Sequence, residues 1–304
     1  MQLSRKLLIA DYRFPTLYAE PASYTTQELA STSGANYTLY TVLEDGWYRV
    51  SVQGGGGGSS NSYAGSSGGK VEKNVYLYKG MKCLLWSGAN GPSSSTGGVG
   101  ANGFPGTQNN TFGGYGATRT TFISHGQYSG EEVASGSSGG GGSGKGSSQS
   151  VRAALAVGGG GAGSGFIAGF TDVTLPSQTY TVGSMTLDIN RSLAIGSVVT
   201  YTCIPTYLIC GGGGGASGTT GTSPASGGGG GAFGSGGTTT SPQVSAQAGP
   251  AGSWGKGADG GTNRKGGDGA WAFIDWSKNG TGWGTGGGEV KGNGFCKLYK
   301  IIPN

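Results

Sequence analysis

Apolar and polar residues alternate in short runs along this chain, and turn residues punctuate the runs. Tyr37 to Leu43 alternates, reaches the turn Glu44-Asp45-Gly46, and resumes as Trp47-Tyr48-Arg49-Val50-Ser51-Val52. Two alternating segments flanking Asp-Gly are the signal of a β-hairpin, so these two are expected to pair. Val71 to Tyr78, the turn Lys79-Gly80 and Lys82 to Trp86 predict a second hairpin. Further β runs are Val151 to Val157, Asp172 to Leu175, Met185 to Ile189, Ser197 to Ile204, Ala270 to Trp276 and Phe295 to Ile302. The apolar period of an amphipathic helix is close to absent. The pattern predicts an all-β chain with essentially no α-helix.

Between these runs lies glycine. The chain has 71 glycines among 304 residues, three times the usual share, and only 34 % of its residues are apolar. Few side chains are therefore available to fill a large conventional core. Glycine is also placed unevenly: residues 1–50 hold just Gly34 and Gly46, and residues 171–210 just Gly183 and Gly196. The rest concentrates in tracts near 54–58, 139–161 and 211–237. Three strands run straight into such tracts, through Val52 to Gly54, Val157 to Gly158 and Cys210 to Gly211. Two readings stand side by side. Gly/Ser-rich chains poor in apolar residues are often flexible linkers. Extended polyglycine also has a packed form, a left-handed helix of three residues per turn with no internal hydrogen bonds. Several such helices side by side satisfy one another's backbone groups, and the punctuated pattern favours that lattice.

Charge and cysteine narrow the partners. The formal charge is +5, and the densest basic patch, Arg264-Lys265 beside Lys256, is thin for a nucleic-acid footprint. Near the N-terminus the apolar run Leu7 to Ala10 is shorter than the roughly 7–15 residues of a signal peptide. No stretch approaches a membrane span. The expectation is synthesis in a cytoplasm without membrane insertion. Cys83 and Cys296 sit in strand-like runs and read as small buried hydrophobes. Cys203 and Cys210 flank Ile204-Pro205-Thr206, where a disulfide stays open as a reading that a reducing compartment disfavours. With no CxxC pair and His125 as the single histidine, no metal site and no cofactor are expected.

The order of these segments resembles a known arrangement. A strand ends in glycines (Gly46-Trp47-Tyr48-Arg49-Val50-Ser51-Val52-Gln53-Gly54), and a strand pair follows from Val75 to Trp86. An aliphatic strand then runs into glycine (Leu155-Ala156-Val157-Gly158), long glycine tracts follow, and Gly294-Phe295-Cys296-Lys297-Leu298-Tyr299 closes the chain. Over roughly residues 36–302 this resembles the TNF-like plus glycine-rich module of the anaplastic lymphoma kinase receptor family. It is similar also to the glycine-rich domains that end phage tail fibres and adhesins. The resemblance implies a jelly-roll (TNF-like) β-sandwich fused to a bundle of polyglycine II helices, spanning 36–304. Residues 1–35, with Pro15, Pro21, Tyr12, Phe14, Tyr18 and Tyr24, read as an attachment arm or as an ordinary first strand. Without a signal peptide or membrane span, the phage side of the resemblance fits better. It implies a virion protein of tail-fibre tip or adhesin type, displayed in several copies, most often as a homotrimer. Its partners would be a bacterial surface glycan or outer protein, and other virion proteins through residues 1–35. A structural decoration or connector protein, and a receptor-type polypeptide-binding module, are the alternatives.

Catalytic signatures are missing from the pattern. The adjacent acids Glu131-Glu132 lie in a polar stretch, and His125 sits in Phe122-Ile123-Ser124-His125-Gly126 without a triad context. Gly142-Ser143-Gly144-Lys145-Gly146 lacks the Ser or Thr that a phosphate loop needs after its lysine. The expectation is a non-enzyme that works by binding. Aromatics stranded in glycine-rich loops offer flat apolar faces at low entropic cost. The candidates are Phe104, Phe112, Tyr115, Phe233, Trp254 and Trp283, with Asn109 and Asn110 supplying hydrogen bonds. Each of these aromatics has a second reading, as a cap on the glycine bundle.

Overall fold

The computed structural model describes residues 19–58, 65–91, 119–121, 132–134, 161, 163–172, 179–182, 185–188, 193–195, 198–210, 268–275, 280–289 and 291–304. Among these the chain is all-β, with no helix. The strands are β1 (Tyr24–Ser33), β2 (Asn36–Thr41), β3 (Gly46–Gln53), β4 (Lys70–Leu77), β5 (Lys82–Ser87), β6 (Arg119–Thr121), β7 (Glu132–Ala134) and β8 (Ser164–Phe170). They continue as β9 (Thr179–Val182), β10 (Met185–Asp188), β11 (Leu193–Ile195), β12 (Val199–Tyr201), β13 (Cys203–Cys210), β14 (Ala270–Asp275), β15 (Gly280–Thr285) and β16 (Phe295–Pro303).

Ten strands form two antiparallel sheets. The first has the order β1-β16-β3-β4 and the second β15-β14-β13-β8-β5-β2. Strand β3 shows why they stack. Its Tyr48, Val50 and Val52 are buried, while Arg49 on the alternate face pairs with Glu72 of β4. The buried row of the first sheet meets Leu85, Phe166, Leu208 and Phe273 of the second, making one continuous core. Across the gap, Lys73 lays its ammonium 4.4 Å above the Phe273 ring. Cys83 and Cys296 are fully buried in this core, as expected of small hydrophobes.

The turn signals mark turns, but they do not join partners. The segments around Glu44-Asp45-Gly46 end in different sheets: β2 pairs with β5, and β3 pairs with β16 and β4. A two-residue Asp-Gly hairpin needs positive φ at its glycine, and Gly46 is not among the positive-φ glycines. Asp45 instead accepts the Lys79 N–H at 2.6 Å, tying two corners together. The second expected hairpin is also a corner. Gly80, at φ 89°, turns the chain from β4 in one sheet to β5 in the other. In a sandwich each strand buries one face against the opposite sheet, and here the two corners carry the chain from one sheet to the other.

Other expectations meet the same register facts. Cys203 and Cys210 are the two ends of β13. Eight extended residues span roughly 23 Å, far beyond the ~4.4–6.8 Å of a disulfide. Pro205, which cannot donate to a ladder, sits where the β13–β8 register shifts. Of residues 1–35, Tyr24 to Ser33 form β1, hydrogen-bonded along its length to β16. Ala19 lies against the first sheet, its carbonyl accepting the Trp47 indole N–H at 3.0 Å.

Candidate interaction surface

Past the strand ends on one side of the sandwich, side chains give way to glycine and the two sheets merge. The β3–β4 ladder ends at Gln53 and Lys70, and the same register continues as Gly54 N–H to Gly69 O at 2.9 Å and Gly57 N–H to Ser66 O at 2.7 Å. The β16–β3 register continues as Gly56 N–H to Gly292 O at 3.0 Å, and the β14–β15 register as Gly286 N–H to Gly269 O at 2.8 Å. Further bonds then cross between the sheets. Gly91 donates to Gly56 O at 2.7 Å, Gly294 to Gly88 O at 2.8 Å, and Gly269 to Ser67 O at 3.0 Å.

The spacing of these donors differs from that of a strand. Gly54 and Gly57, three residues apart, donate to the same neighbouring segment. Gly56 between them donates to a second segment and accepts from a third. In a β-strand, successive residues alternate between two neighbours. Residues 54–58 and 65–69 are all buried. A Cβ on Gly68 would fall closer than 3.0 Å to Gly54 O, and one on Gly161 equally close to the carbonyls of Gly55 and Gly56. Backbone atoms cannot step aside as a side chain can, so hydrogen is the largest group that fits. Side chains take part in the network as acceptors: Asp268 Oδ1 accepts both the Ser67 N–H at 3.1 Å and the Ser67 hydroxyl at 2.8 Å, Ser164 Oγ accepts the Gly88 N–H at 3.0 Å, and Asn293 Oδ1 accepts the Asn90 N–H at 2.9 Å.

This glycine end is where the long connections start and finish. The connections 92–160 and 211–267 both begin and end at this side of the sandwich, and of their residues only those of β6 and β7 are described. Phe104, Asn109, Asn110, Phe112, Tyr115, Phe233 and Trp254 fall within those two connections and lie outside the described residues. Trp283 does not sit in a loop. It occupies the edge strand β15, opposite Ala272 of β14. The opposite end of the sandwich carries the corners at 42–46 and 78–82, together with Tyr24 and its partner Pro303.

A second feature lies at the glycine end. Where β1 turns into β2, residues 31–33 and 36–38 and Lys297 line an open polar groove of about 460 Å³. Sequence reasoning passed over it. Its aromatic, Tyr37, belongs to an alternating strand, and alternation alone does not say which face ends up outside.

Among the described residues no group of His, Cys, Asp and Glu is placed to hold a metal ion. Among them, no helix is long and apolar enough to cross a membrane. Burial raises the Cys83 thiol and the Tyr48 and Tyr201 phenols well above their ordinary pKa values. These groups stay protonated within the core at neutral pH. No protein-family model matches the chain, and no curated protein does either.

Proposed function

We propose that this chain is a non-enzymatic virion adhesin of the phage tail-fibre type, binding a bacterial surface glycan or outer protein. The observation that carries this reading is the polarity of the molecule. The N-terminal segment enters beside Trp47 and Tyr24 at one end. The two long aromatic-bearing connections are anchored at the other, about 23 Å away along eight-residue strands. One end attaches and the other reaches out. The part of residues 1–35 that precedes β1 would dock other virion proteins, and Phe104, Asn109, Phe112, Tyr115, Phe233 and Trp254 would meet the receptor.

In this reading the sandwich is a jelly-roll and the glycine end a polyglycine II bundle. The three-residue donor spacing supports the bundle, because that helix repeats every three residues. The role of the bundle would be stiffness: backbone hydrogen bonds running in several directions hold loop anchors in place, which reduces the ordering cost of binding. Display in several copies, as in a homotrimer, would add avidity to weak contacts.

The test is binding of the labelled, purified full chain to a panel of bacterial strains. Saturable binding to some strains, lost when Phe104, Phe112, Tyr115, Phe233 and Trp254 are changed to alanine, is the expected result. Failure to bind any strain, combined with binding to virions that lack this protein, would replace the adhesin by a structural virion role.

A further inference from the structure

We infer that the groove between β1 and β2 is a saccharide subsite, built on rigid strands and separate from the loops. This rests on the adhesin reading for the source of the sugar, but the site is argued from its own geometry. Its rim carries hydroxyl and amide groups from Ser31, Ser33 and Asn36, all exposed, with the Lys297 ammonium beside them. Tyr37 leaves 44 % of its surface open on the edge strand β2. A flat ring next to a row of small donors and acceptors suits a pyranose, whose faces are apolar and whose edge bears hydroxyls. The lining is mostly polar, so it offers no apolar pocket for the anchor residues of a peptide. Its size falls within the roughly 300–1,000 Å³ of small-ligand sites.

The groove is also held in shape. Thr32 and Ser87, both buried, join hydroxyl to hydroxyl at 3.3 Å beneath it. Ser87 also donates to the carbonyl of Gly34, the corner residue, whose φ is 68°. Gly34 N–H is bonded to Gly294 O at 3.1 Å, and Thr38 Oγ1 donates to Ser31 O at 3.1 Å. The Thr38 bond joins the two walls, and the others hold β1 and its corner to the sandwich beneath before any ligand arrives. Preorganisation of this kind is what a weak, shallow sugar site needs to bind measurably. Lys297 is shared with Glu28 at 3.7 Å, which tempers its charge and suits neutral sugars as well as acidic ones.

The experiment titrates the full chain with soluble polysaccharides released from the surfaces of the bacterial panel. Tyr37→Ala and Ser33→Arg, both at exposed positions, are each expected to weaken polysaccharide binding about tenfold. Tyr37→Phe, which keeps the ring, should stay within about twofold. If the parent protein binds none of the polysaccharides, or if Tyr37→Ala and Ser33→Arg bind like the parent, the inference is overturned. The two readings fail separately. Cell binding that survives the groove variants but not the loop-aromatic variants removes the groove and keeps the adhesin. A parent that ignores cells removes the adhesin, while the titration still decides the groove.

Discussion

The two halves of this molecule solve the same packing problem by opposite means. In the middle of the sandwich, Tyr48, Val50, Leu85, Phe166 and Leu298 fill the space between two sheets with side chains. Sheets packed that way stand about 10 Å apart, so their backbones cannot hydrogen-bond to each other. At the glycine end the filling is removed and the strands continue in register. The sheets then close until Gly91 reaches Gly56 and Gly294 reaches Gly88 by backbone hydrogen bonds. The first half is held by apolar burial and the second by satisfied peptide groups. What stabilises one would wreck the other.

That contrast can be tested by moving bulk in both directions. The largest effect is expected at the glycine end, where Gly68→Val forces a branched side chain onto Gly54 O. A loss of the order of 4 kcal/mol, or failure to fold, should appear in urea melts, because overpacking against backbone has no cheap relaxation. A well-folded Gly68→Val protein would mean that the segments are not packed as described. In the other half the sensitive direction is reversed. Leu85→Ala should cost about 3 kcal/mol by leaving a cavity.

A smaller loss tests a side chain that clamps the lattice twice. Asp268→Ala removes the shared acceptor of the Ser67 N–H and hydroxyl and should cost about 2 kcal/mol. Proteolysis at 65–69 should rise with it.

Alkali should act on the side-chain half alone. Tyr48, Tyr201 and Cys83 hold folded-state pKa values above their ordinary ones, mainly through burial. Below those ordinary values, 9.0 for the thiol and 10.0 for the phenols, their contribution to stability is complete. As pH rises beyond them the unfolded chain releases protons more readily than the folded one, so stability falls. Midpoints of urea unfolding should drop from about pH 9 upward, and Tyr201→Phe should flatten the slope. The smallest effect belongs to the outer face. The Arg49–Glu72 ion pair, with side chains 39 % and 33 % exposed, should be worth under about 1 kcal/mol in a double-mutant cycle.

Much of this architecture is written locally, and some of it is not. Strand positions were readable because alternation is a local property: the run Trp47 to Val52 becomes β3, and Phe295 to Ile302 becomes most of β16. Pairing was not. Asp45-Gly46 and Lys79-Gly80 look like hairpin turns, yet both serve as corners between sheets. The deciding quantity is burial against strands far along the chain, such as β8 and β16. The partner that β3 finds in β4 is separated from it by the Gly54–Gly69 excursion, which no hairpin rule anticipates. The groove was hidden for a related reason. Tyr37 and Ser31 lie in different sheets, and only the corner at Gly34 brings them together.

The sequence by itself determined the all-β class, the positions of strands such as β3, β5, β14 and β16, and the places where side chains run out, but not the central strand β8 or the edge strand β15. Each follows from residue type and short-range periodicity, which act within a few bonds. Tertiary structure decided which strands pair, which face of β2 stays open and how the glycine tracts bond. The reason is physical: glycine carries no side-chain information about its neighbour. A tract such as Gly54 to Gly58 takes its register from the ladder it extends, and its lateral partners from whatever backbone the sandwich brings beside it.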